Sequence, residues 1–321
     1  MLCHLTAILA CLCCAPARAD SPGEMKTRII VDSDANNELD DQHAIAYVLL
    51  NHDRFDVEGI TVNRTFEGGS IRQHAEEAER VVRLCGMSPA VHVYEGATGD
   101  FEKIRSTVNQ PSFDGEAAVN FIIGRAKASG KGKLVILAIG KLTNVGLALC
   151  KEPSIAPNLR IVWLGTNYPD SGEYNFENDR PVANYMLGLD VQFEIATVRY
   201  GKSSGTAAVQ ASVDEIRTHM RGKGPRISEP VSGRHGGEFS CFGDYSISLF
   251  EHVKEMTRSL YDMAAAAIVK NPGWAHHTLI AAPRFEEGRW VDQPDNPRKV
   301  IIWEDFDTAG IMHDFYQTFD R

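Results

Sequence analysis

The chain has 321 residues, a formal net charge of −10 at pH 7 and 43% hydrophobic residues. An acidic chain without a basic run is a poor partner for nucleic acid or an anionic membrane surface, so we expect neither partner. Beyond the first 19 residues, no segment approaches the roughly 18 apolar residues that a membrane helix needs. A chain of this length can bury a large core.

The amino terminus has the pattern of an export signal. Residues 5–15 form a short apolar segment, and an A-x-A sequence follows it and ends at Ala19. This combination is typical of a cleaved signal peptide, and the apolar segment is too short to cross a bilayer. We therefore expect residues 1–19 to be removed near Ala19 and residues 20–321 to form an exported, periplasmic or secreted, mature chain. A lipoprotein anchor at Cys11 is the alternative.

Short apolar strands alternate with amphipathic helical segments through about residue 200. Strands are predicted at 28–32, 56–62, 90–94, 133–139, 159–164 and 192–198. Helices are predicted between them at 41–52, 70–86, 115–129, 142–150 and 180–188. This alternation indicates an α/β fold, with a mainly parallel open sheet and helices on both faces, in a Rossmann-like arrangement.

The carboxyl-terminal third follows a different pattern. Residues 201–245 are rich in Gly and Ser, and we interpret them as a loop-rich insertion or flap near a site. One helix is predicted at 247–269, and a strand-rich tail is predicted at 279–303. We find no internal repeat and no linker, so residues 20–321 are predicted to be one domain.

The cysteines of the mature chain indicate a structure that is held by its core. Cys85, Cys150 and Cys241 are an odd number without metal-type spacing, so at most one disulfide can form. We expect Cys85 and Cys150 to be buried free thiols.

The first predicted strand leads directly into four aspartates, Asp32, Asp34, Asp40 and Asp41. Carboxylates this close repel one another and lose solvation when buried, so the fold must compensate them. A hard cation does so, because Ca²⁺ takes about six to eight oxygen ligands in irregular geometry. Helix capping explains one or two of these aspartates at most. The cluster therefore predicts a Ca²⁺ site that doubles as an active site, at the strand ends where open α/β sheets bind ligands.

Two other classes of site carry aspartates in similar patterns. An EF-hand loop is excluded, because its sixth position is Asn37 instead of Gly and its twelfth is His43 instead of Glu. A phosphatase with Asp32 as its nucleophile, Mg²⁺ as its metal and Lys141 as its cation stays open at this point.

Four segments, taken in order, resemble the inosine–uridine-preferring nucleoside hydrolase superfamily and cover nearly the whole mature chain. The first segment is the aspartate cluster, whose turn is two residues longer than the family's and lacks its Pro-Gly. The other three are Ile139-Gly140-Lys141-Leu142-Thr143-Asn144, Gly165-Thr166-Asn167 with Glu173-Tyr174-Asn175-Phe176, and Leu260-Tyr261-Asp262-Met263-Ala264. The resemblance implies Ca²⁺-dependent hydrolysis of the N-glycosidic bond of ribonucleosides, with inversion at the anomeric carbon.

The resemblance also implies roles for individual residues. Asp34 is the expected general base. The expected metal ligands are Asp34, Asp41, Asp262 and the backbone carbonyl of Ile139. The expected substrate-binding residues are Asp40, Asn167, Glu173 and Asn175. Apart from the resemblance, Asn63 is a further substrate-binding candidate, because it follows the predicted strand at 56–62.

The residue that protonates the leaving base is not fixed by the resemblance, because Tyr261 stands where many family members have His. Tyr261 is the first candidate for this acid, although a Tyr with an ordinary pKa near ~10 is a weak one. The other candidates are His235, His276 and His277. Each of these is more often a surface histidine.

The base pocket is expected around 63–72 and 201–245, which leaves the accepted base undetermined. Trp274 and Trp290 could stack on a purine, but packing is the commoner role of single tryptophans. A Ca²⁺-dependent ribose or sugar binder without catalysis and a hydrolase of another glycoside are the alternatives. A homo-oligomer is compatible with the sequence.

Overall fold

The computed structural model describes residues 25–128, 130 and 132–320, so the predicted signal peptide lies outside the described residues. The described strands are β1 Thr27–Ser33, β2 Phe55–Val62, β3 Val93–Glu95, β4 Leu134–Ala138, β5 Leu159–Leu164, β6 Gln192–Ala196, β7 Gln210–Ser212, β8 Val231–Ser232, β9 Glu238–Phe239, β10 Thr257–Ser259, β11 His276–Ala281, β12 Arg284–Glu286, β13 Arg289–Val291 and β14 Lys299–Glu304. The described α-helices are α1 Asp40–Leu50, α2 Ile71–Leu84, α3 Phe101–Ile104, α4 Glu116–Lys127, α5 Thr143–Lys151, α6 Tyr174–Asn178, α7 Arg180–Leu187, α8 Val213–Met220, α9 Phe242–Glu251, α10 Tyr261–Lys270 and α11 Thr308–Phe319.

Eight of the described strands form one sheet, in the order β11-β14-β6-β5-β4-β1-β2-β3. The edge strand β11 is antiparallel to β14, and the other neighbouring pairs are parallel. The chain winds from β1 towards β3 on one side and from β4 towards β6 on the other. The carboxyl ends of β1 and β4 therefore flank a topological switch point, where sheets of this kind bind ligands. The predicted α/β fold is confirmed.

The core lies on both faces of this sheet. Ile29 and Val31 of β1 pack into one hydrophobic cluster, whereas Ile30 packs into the other. Helices α1, α2, α8, α9, α10 and α11 contribute to the first cluster, and α3, α4, α5 and α7 contribute to the second. Because both faces are covered, β4 is buried along its whole length, which explains its uninterrupted apolar sequence.

Helix α1 is buried on every side. All of its residues are buried, because α2, α10 and α11 pack around it. Ala44, Ile45, Val48 and Leu49 recur at helical spacing and form an apolar face, but the helix is also enclosed where it is polar. The two aspartates that begin it are therefore held inside the protein.

The single helix predicted at 247–269 is wrong. Helix α9 ends at Glu251, strand β10 follows, and α10 begins only at Tyr261. Strand β10 pairs antiparallel with β7, which comes from a distant part of the chain. A local sequence pattern does not show a pairing of this kind.

The predicted loop at 201–245 is wrong in part, because β7, α8 and the short β8–β9 hairpin lie within it. Helix α8 begins with a capping box between Ser212 and Glu215. The strand-rich tail is confirmed by β11 to β14, whereas α11 beyond it was not predicted.

The three described cysteines are free. Cys85 and Cys241 are buried, but Cys150 is only half-buried, so the prediction of a buried thiol is wrong for Cys150. Among the described helices, none has the length and hydrophobicity that a membrane span requires.

Candidate active site

A cavity of about 220 Å³ opens at the carboxyl ends of β1, β4, β5 and β6. The starts of α1, α6 and α10 complete its walls. Its acidic lining residues are Asp34, Glu38, Asp40, Asp41, Glu173 and Asp262. Its other lining residues are Asn37, Ile139, Leu164, Tyr174, Asn175, Val198, Tyr200, Arg258 and Tyr261. Six carboxylates thus share this cavity with one guanidinium, which makes it strongly electronegative.

Asp32, the first aspartate of the cluster, stands apart from the cavity. Its carboxylate is fully buried and accepts hydrogen bonds from Thr61 Oγ1 at 2.6 Å, Asn144 Nδ2 at 2.7 Å and Asn63 Nδ2 at 3.2 Å. Burial raises the pKa of Asp32 to about 6 against the effect of these donors. This network ties the end of β1 to β2 and α5, so Asp32 supports the site from beneath.

A phosphatase site is excluded by these contacts. Asp32 is enclosed and already bonded to three side chains, so it cannot reach a phosphate as a nucleophile. The Lys141 ammonium is also buried, and it donates a hydrogen bond to the carbonyl of Gly99 at 2.7 Å.

Asp34, the expected base, lines the cavity and is 1% exposed. Its Oδ2 accepts a hydrogen bond of 2.5 Å from the Thr65 hydroxyl. Burial raises the pKa of Asp34 to about 7, although that hydrogen bond opposes the shift. A carboxyl group whose pKa is close to neutral is suited to accept a proton from water.

The turn after β4 approaches Asp34 closely. A Cβ on Gly140 would lie 3.1 Å from the backbone nitrogen of Asp34 and 2.8 Å from Asn63 Nδ2. Only glycine therefore fits between the two turns. This close packing places Ile139 in the wall of the cavity.

Three carboxylates form a group that could hold a metal ion. Asp40, Asp41 and Asp262 each offer an oxygen, and these oxygens lie within 4.8 Å of one another. Burial and the neighbouring carboxylates raise the pKa of all three, that of Asp40 to about 7. Among the described residues, Asp262 Oδ1 is buried without a hydrogen-bond partner, which fits a cation ligand. Asp34 and Ile139 line the same cavity but lie outside this group.

The grouping places Asp40 beside the expected ligand Asp41, whereas the resemblance gave Asp40 only a role towards ribose. Both aspartates lie in the first turn of α1, and the residue before them, Leu39, makes no side-chain cap. Asp41 accepts a 2.6 Å hydrogen bond from the Ser33 hydroxyl.

Glu173 and Asn175 line the opposite wall and hold its loops together. Glu173 caps α6 and accepts hydrogen bonds from the backbone nitrogens of Thr166 and Asn175 at 2.9 Å and of Phe176 at 2.8 Å. Burial raises the pKa of Glu173 to about 7. The Asn175 amide donates to the carbonyls of Ile139 at 3.1 Å and Leu164 at 3.2 Å.

Thr166 in this wall has a φ of 64°, which is unfavourable for a β-branched residue. Its backbone amide is held by Glu173, and its carbonyl accepts a hydrogen bond from the Val198 amide at 3.0 Å. Strain of this kind persists where the surroundings fix the backbone, and it is concentrated at functional sites.

Two of the expected substrate-binding residues do not line the cavity. Asn63 is fully buried and bonds to Asp32. Asn167 donates to the carbonyl of Ser171 at 3.3 Å and accepts a bond of 2.9 Å from the backbone amide of Tyr200. The structure thus gives Asn63 and Asn167 partners within the protein.

Aromatic residues surround the opening of the cavity. Tyr261, the candidate acid, meets Tyr200 edge to face, with ring centroids 6.0 Å apart. Phe66, which is 69% exposed, meets Tyr174 in the same way at 6.3 Å. Tyr200 was not predicted from the sequence, although its position four residues after β6, at the same sheet edge as Asp34, was a usable signal.

None of the candidate histidines or tryptophans lines this cavity in the described part of the chain. His235 stacks on His252 in the β8–β9 region, while the candidates at 276 and 277 are exposed at the start of β11. Trp290 packs against aromatic residues of the core, and Trp274 packs beside α10. Tyr261 is therefore the candidate acid that faces the cavity.

Glu38 and Arg258 also line the cavity and were not predicted from the sequence. Their side chains form an ion pair. Arg258 stands only four residues before Asp262, which was the available signal. Glu38 belongs to the lengthened turn.

Comparison with known proteins places this site in a family. The family model described as "Inosine-uridine preferring nucleoside hydrolase" matches residues 29–312. The chain also resembles three solved structures over 92% of its length. They are a purine-preferring ribonucleoside hydrolase from Gardnerella vaginalis (20% identity, TM-score 0.68, 98% of that chain), an inosine-uridine preferring nucleoside hydrolase from Bacillus anthracis (15%, 0.67, 99%) and an inosine-guanosine nucleoside hydrolase (16%, 0.69, 99%).

At these identities the solved structures show a shared fold, and the family match supplies the assignment. The match spans most of the chain, including every acidic residue that lines the cavity. The chain therefore belongs to the inosine-uridine preferring nucleoside hydrolase family and is an N-glycosyl hydrolase of the nucleosidase type.

Proposed function

We propose that the protein hydrolyses the N-glycosidic bond of ribonucleosides in a Ca²⁺-dependent reaction that releases base and ribose. The observation that carries this proposal is the buried group formed by Asp40, Asp41 and Asp262, whose oxygens lie within 4.8 Å of one another. Three carboxylates at this spacing are tolerated when a cation binds them.

The chemistry of the donors supports calcium. The available donors are carboxylate and carbonyl oxygens, which suit Ca²⁺ or Mg²⁺ better than zinc or copper. A crowded set of carboxylates suits Ca²⁺ better than Mg²⁺, because Mg²⁺ requires a strict octahedron and keeps several waters. Asp40, Asp41 and Asp262 would hold the ion, and Asp34 and the carbonyl of Ile139, which line the same cavity, would be further ligands. When bound, such an ion supplies positive charge that orients ribose hydroxyls and makes a nearby water more acidic.

Asp34 acts as the general base in this proposal. The Thr65 hydroxyl fixes the orientation of its carboxylate, and burial keeps its pKa near neutral. Water then attacks the anomeric carbon directly, so its configuration is inverted. Positive charge develops on the ribose in the transition state, as in other glycoside hydrolyses. The carboxylates of the cavity stabilise that charge without having to reorganise.

The cavity wall offers partners for the sugar. Asp40, Glu173 and Asn175 line it with groups that accept or donate hydrogen bonds. Such groups recognise the vicinal hydroxyls of ribose and penalise a sugar that lacks one of them.

Tyr261 assists the departure of the base. Burial raises the pKa of its phenol, so the group stays protonated across neutral pH and can donate a hydrogen bond. Tyr261 is therefore a weaker acid than a histidine, but its hydroxyl can donate a hydrogen bond throughout the neutral pH range. We therefore expect the protein to prefer bases that leave easily.

The test is a nucleoside panel assayed with the purified protein before and after treatment with a chelator, followed by addition of Ca²⁺, Mg²⁺ or Mn²⁺. We expect activity to disappear on chelation and to return best with Ca²⁺. Asp34→Asn should lower kcat by about 10³-fold while unfolding stays cooperative. Asp190→Asn, at a side chain that is 89% exposed, is the matched control.

Unchanged turnover by Asp34→Asn would exclude Asp34 as the base, and full activity in the chelator would exclude the ion. NMR of the sugar in the first minutes of reaction reports its anomeric configuration, and retention would rule out direct attack by water. Export of the mature chain and self-association stay predictions.

A further inference from the structure

The turn between β1 and α1 joins the proposed base, Asp34, to the carboxylates of α1. Residues 35–39 connect Asp34 to Asp40 and contain neither Gly nor Pro. No residue in it therefore has the special backbone preferences of Gly or Pro. Besides local hydrogen bonding, contacts with the rest of the protein hold the turn.

One side of the turn is held by the region around α2. The backbone amide of Asn36 donates to His74 Nδ1 at 3.2 Å. The Asn36 side chain donates to the carbonyl of Gly68 at 2.6 Å. The backbone amide of Asn37 closes the turn onto the carbonyl of Asp34 at 2.9 Å.

Two arginines hold the other side of the turn. Arg234, from the β8–β9 connection, donates to the carbonyls of Glu38 at 3.3 Å and Asn37 at 3.4 Å. Arg258, on β10, forms the ion pair with the Glu38 carboxylate. The Arg258 side chain is 20% exposed and that of Glu38 is 43% exposed, so Arg258 is the more firmly held partner of the pair.

The position of Arg258 links the two walls of the cavity. The turn that it holds leads directly into Asp40 and Asp41, while its own strand leads directly into α10, which carries Asp262. The carboxylates on these two walls repel one another, and this repulsion favours separation of the walls. A planar guanidinium that grips one wall from the other opposes that separation.

We propose that Arg258 is a positioning residue that sets the spacing of the metal-binding carboxylates by clamping the Asn37–Glu38 turn, with Arg234 in a supporting role. This inference rests on the part of the proposed function in which the cavity binds a divalent cation. Arg258 contacts neither substrate nor ion in this role and acts through Glu38.

A purely electrostatic role of Arg258 leads to the opposite expectation. As a bare positive charge in the lining, Arg258 repels a cation, so its removal would tighten cation binding. As a clamp, it keeps the ligands at binding distance, so its removal weakens binding. The sign of the change in Ca²⁺ affinity therefore separates the two roles.

The experiment is calorimetric titration of Ca²⁺ into the metal-stripped protein. We expect Arg258→Met to raise the Kd for Ca²⁺ about tenfold, as loss of a residue that supports metal ligands typically does. Arg258→Lys keeps the charge but loses the second terminal nitrogen, which lies 3.6 Å from the Glu255 carboxylate, so it should raise the Kd severalfold. Glu38→Gln should weaken binding, and its combination with Arg258→Met should be no worse than Arg258→Met alone. Arg217→Met, which breaks an exposed ion pair with Glu251, should leave the Kd unchanged.

A lower Kd for Arg258→Met, or an unchanged Kd for Arg258→Lys, would overturn the clamp. If Arg258→Met does not unfold cooperatively, Arg258→Lys decides the question.

Saturating Ca²⁺ should restore the kcat of these variants, because the reacting groups are intact. If the wild-type protein binds Ca²⁺ but hydrolyses no nucleoside, the proposed function fails. The Kd values of the variants still test whether Arg258 positions the carboxylates. A wild-type protein that binds no Ca²⁺ would overturn both.

Discussion

The Ser33 hydroxyl donates a 2.6 Å hydrogen bond to Oδ1 of Asp41, joining the last residue of β1 to the first turn of α1. Both side chains are buried, so water does not compete for this bond. It fixes the rotamer of a carboxylate that the proposed function assigns to the metal. Loss of a residue that orients a metal ligand in this way typically lowers metal affinity by about 10- to 100-fold.

We expect Ser33→Ala to raise the Kd for Ca²⁺ about tenfold, because Asp41 loses its orienting partner. Calorimetric titration measures this directly. Ser246→Ala is the matched control, since Ser246 is equally buried and bonds to His43 away from the cavity. An equal loss of affinity in both variants would mean that Ser33 contributes only to general stability.

The stability of the metal-free protein should fall as the pH rises from 5.5 to 8. Burial raises the folded-state pKa of Asp34, Asp40 and Glu173 to about 7, above the unfolded value near ~4. The folded state therefore binds more protons in this range, and stability is lost as they dissociate.

Added Ca²⁺ should reverse this loss, because it neutralises the carboxylates that remain and binds only the folded state. The Tm gain from Ca²⁺ should be several degrees larger at pH 8 than at pH 5.5, as measured by differential scanning calorimetry with and without chelator. Equal Tm gains at both pH values would show that the carboxyl groups with raised pKa values are not the metal ligands.

Discrimination against deoxyribose tests the sugar contacts. If the cavity binds vicinal hydroxyls, 2′-deoxyinosine should show a kcat/KM lower than inosine by about 10³-fold or more, because buried polar groups are left unpaired. Assays with the same base on both sugars isolate the hydroxyl. Comparable rates on the two nucleosides would exclude ribose recognition by Asp40, Glu173 and Asn175.

Tyr261→Phe tests donation to the leaving base. It should slow inosine hydrolysis by at least about tenfold but should leave p-nitrophenyl riboside almost unchanged, since nitrophenolate leaves without a proton. Tyr261→His should accelerate inosine hydrolysis. Tyr200→Phe is the control, because Tyr200 contacts Tyr261 and lines the same cavity. A similar loss on both substrates would give Tyr261 a structural role.

The fold was predictable where local patterns and long-range packing agree. The buried apolar runs of β1 and β4 and the segments between them were sufficient to predict a parallel sheet. The break between α9 and α10 was not visible, because no Gly or Pro marks it and β10 forms by pairing with β7. Helix α11 was overlooked although Ile311, Phe315 and Phe319 recur at helical spacing and Asp307 caps it.

The site was predictable in its acidic part. Each aspartate or glutamate assigned to metal, base or ribose lines the cavity. These residues were recognisable because Asp and Glu next to buried strands and helices are rarely enclosed without a partner. Amides gave weaker signals, because the Asn63 amide nitrogen and the Asn167 side chain bind neighbouring protein groups instead of lining the cavity. Arg258 carries no motif, and only the geometry of the turn reveals its contact with Glu38.

The complete enclosure of α1 has a consequence for how an ion enters and leaves. This helix has no solvent-facing side along which its first turn could fray, so Asp40 and Asp41 cannot swing outward by themselves. The proposed metal ligands are therefore already in place in the metal-free protein, so binding of Ca²⁺ would not have to order the polypeptide. We expect ion exchange to proceed through the mouth of the cavity, at a rate set by dehydration of the ion and by deprotonation of its ligands.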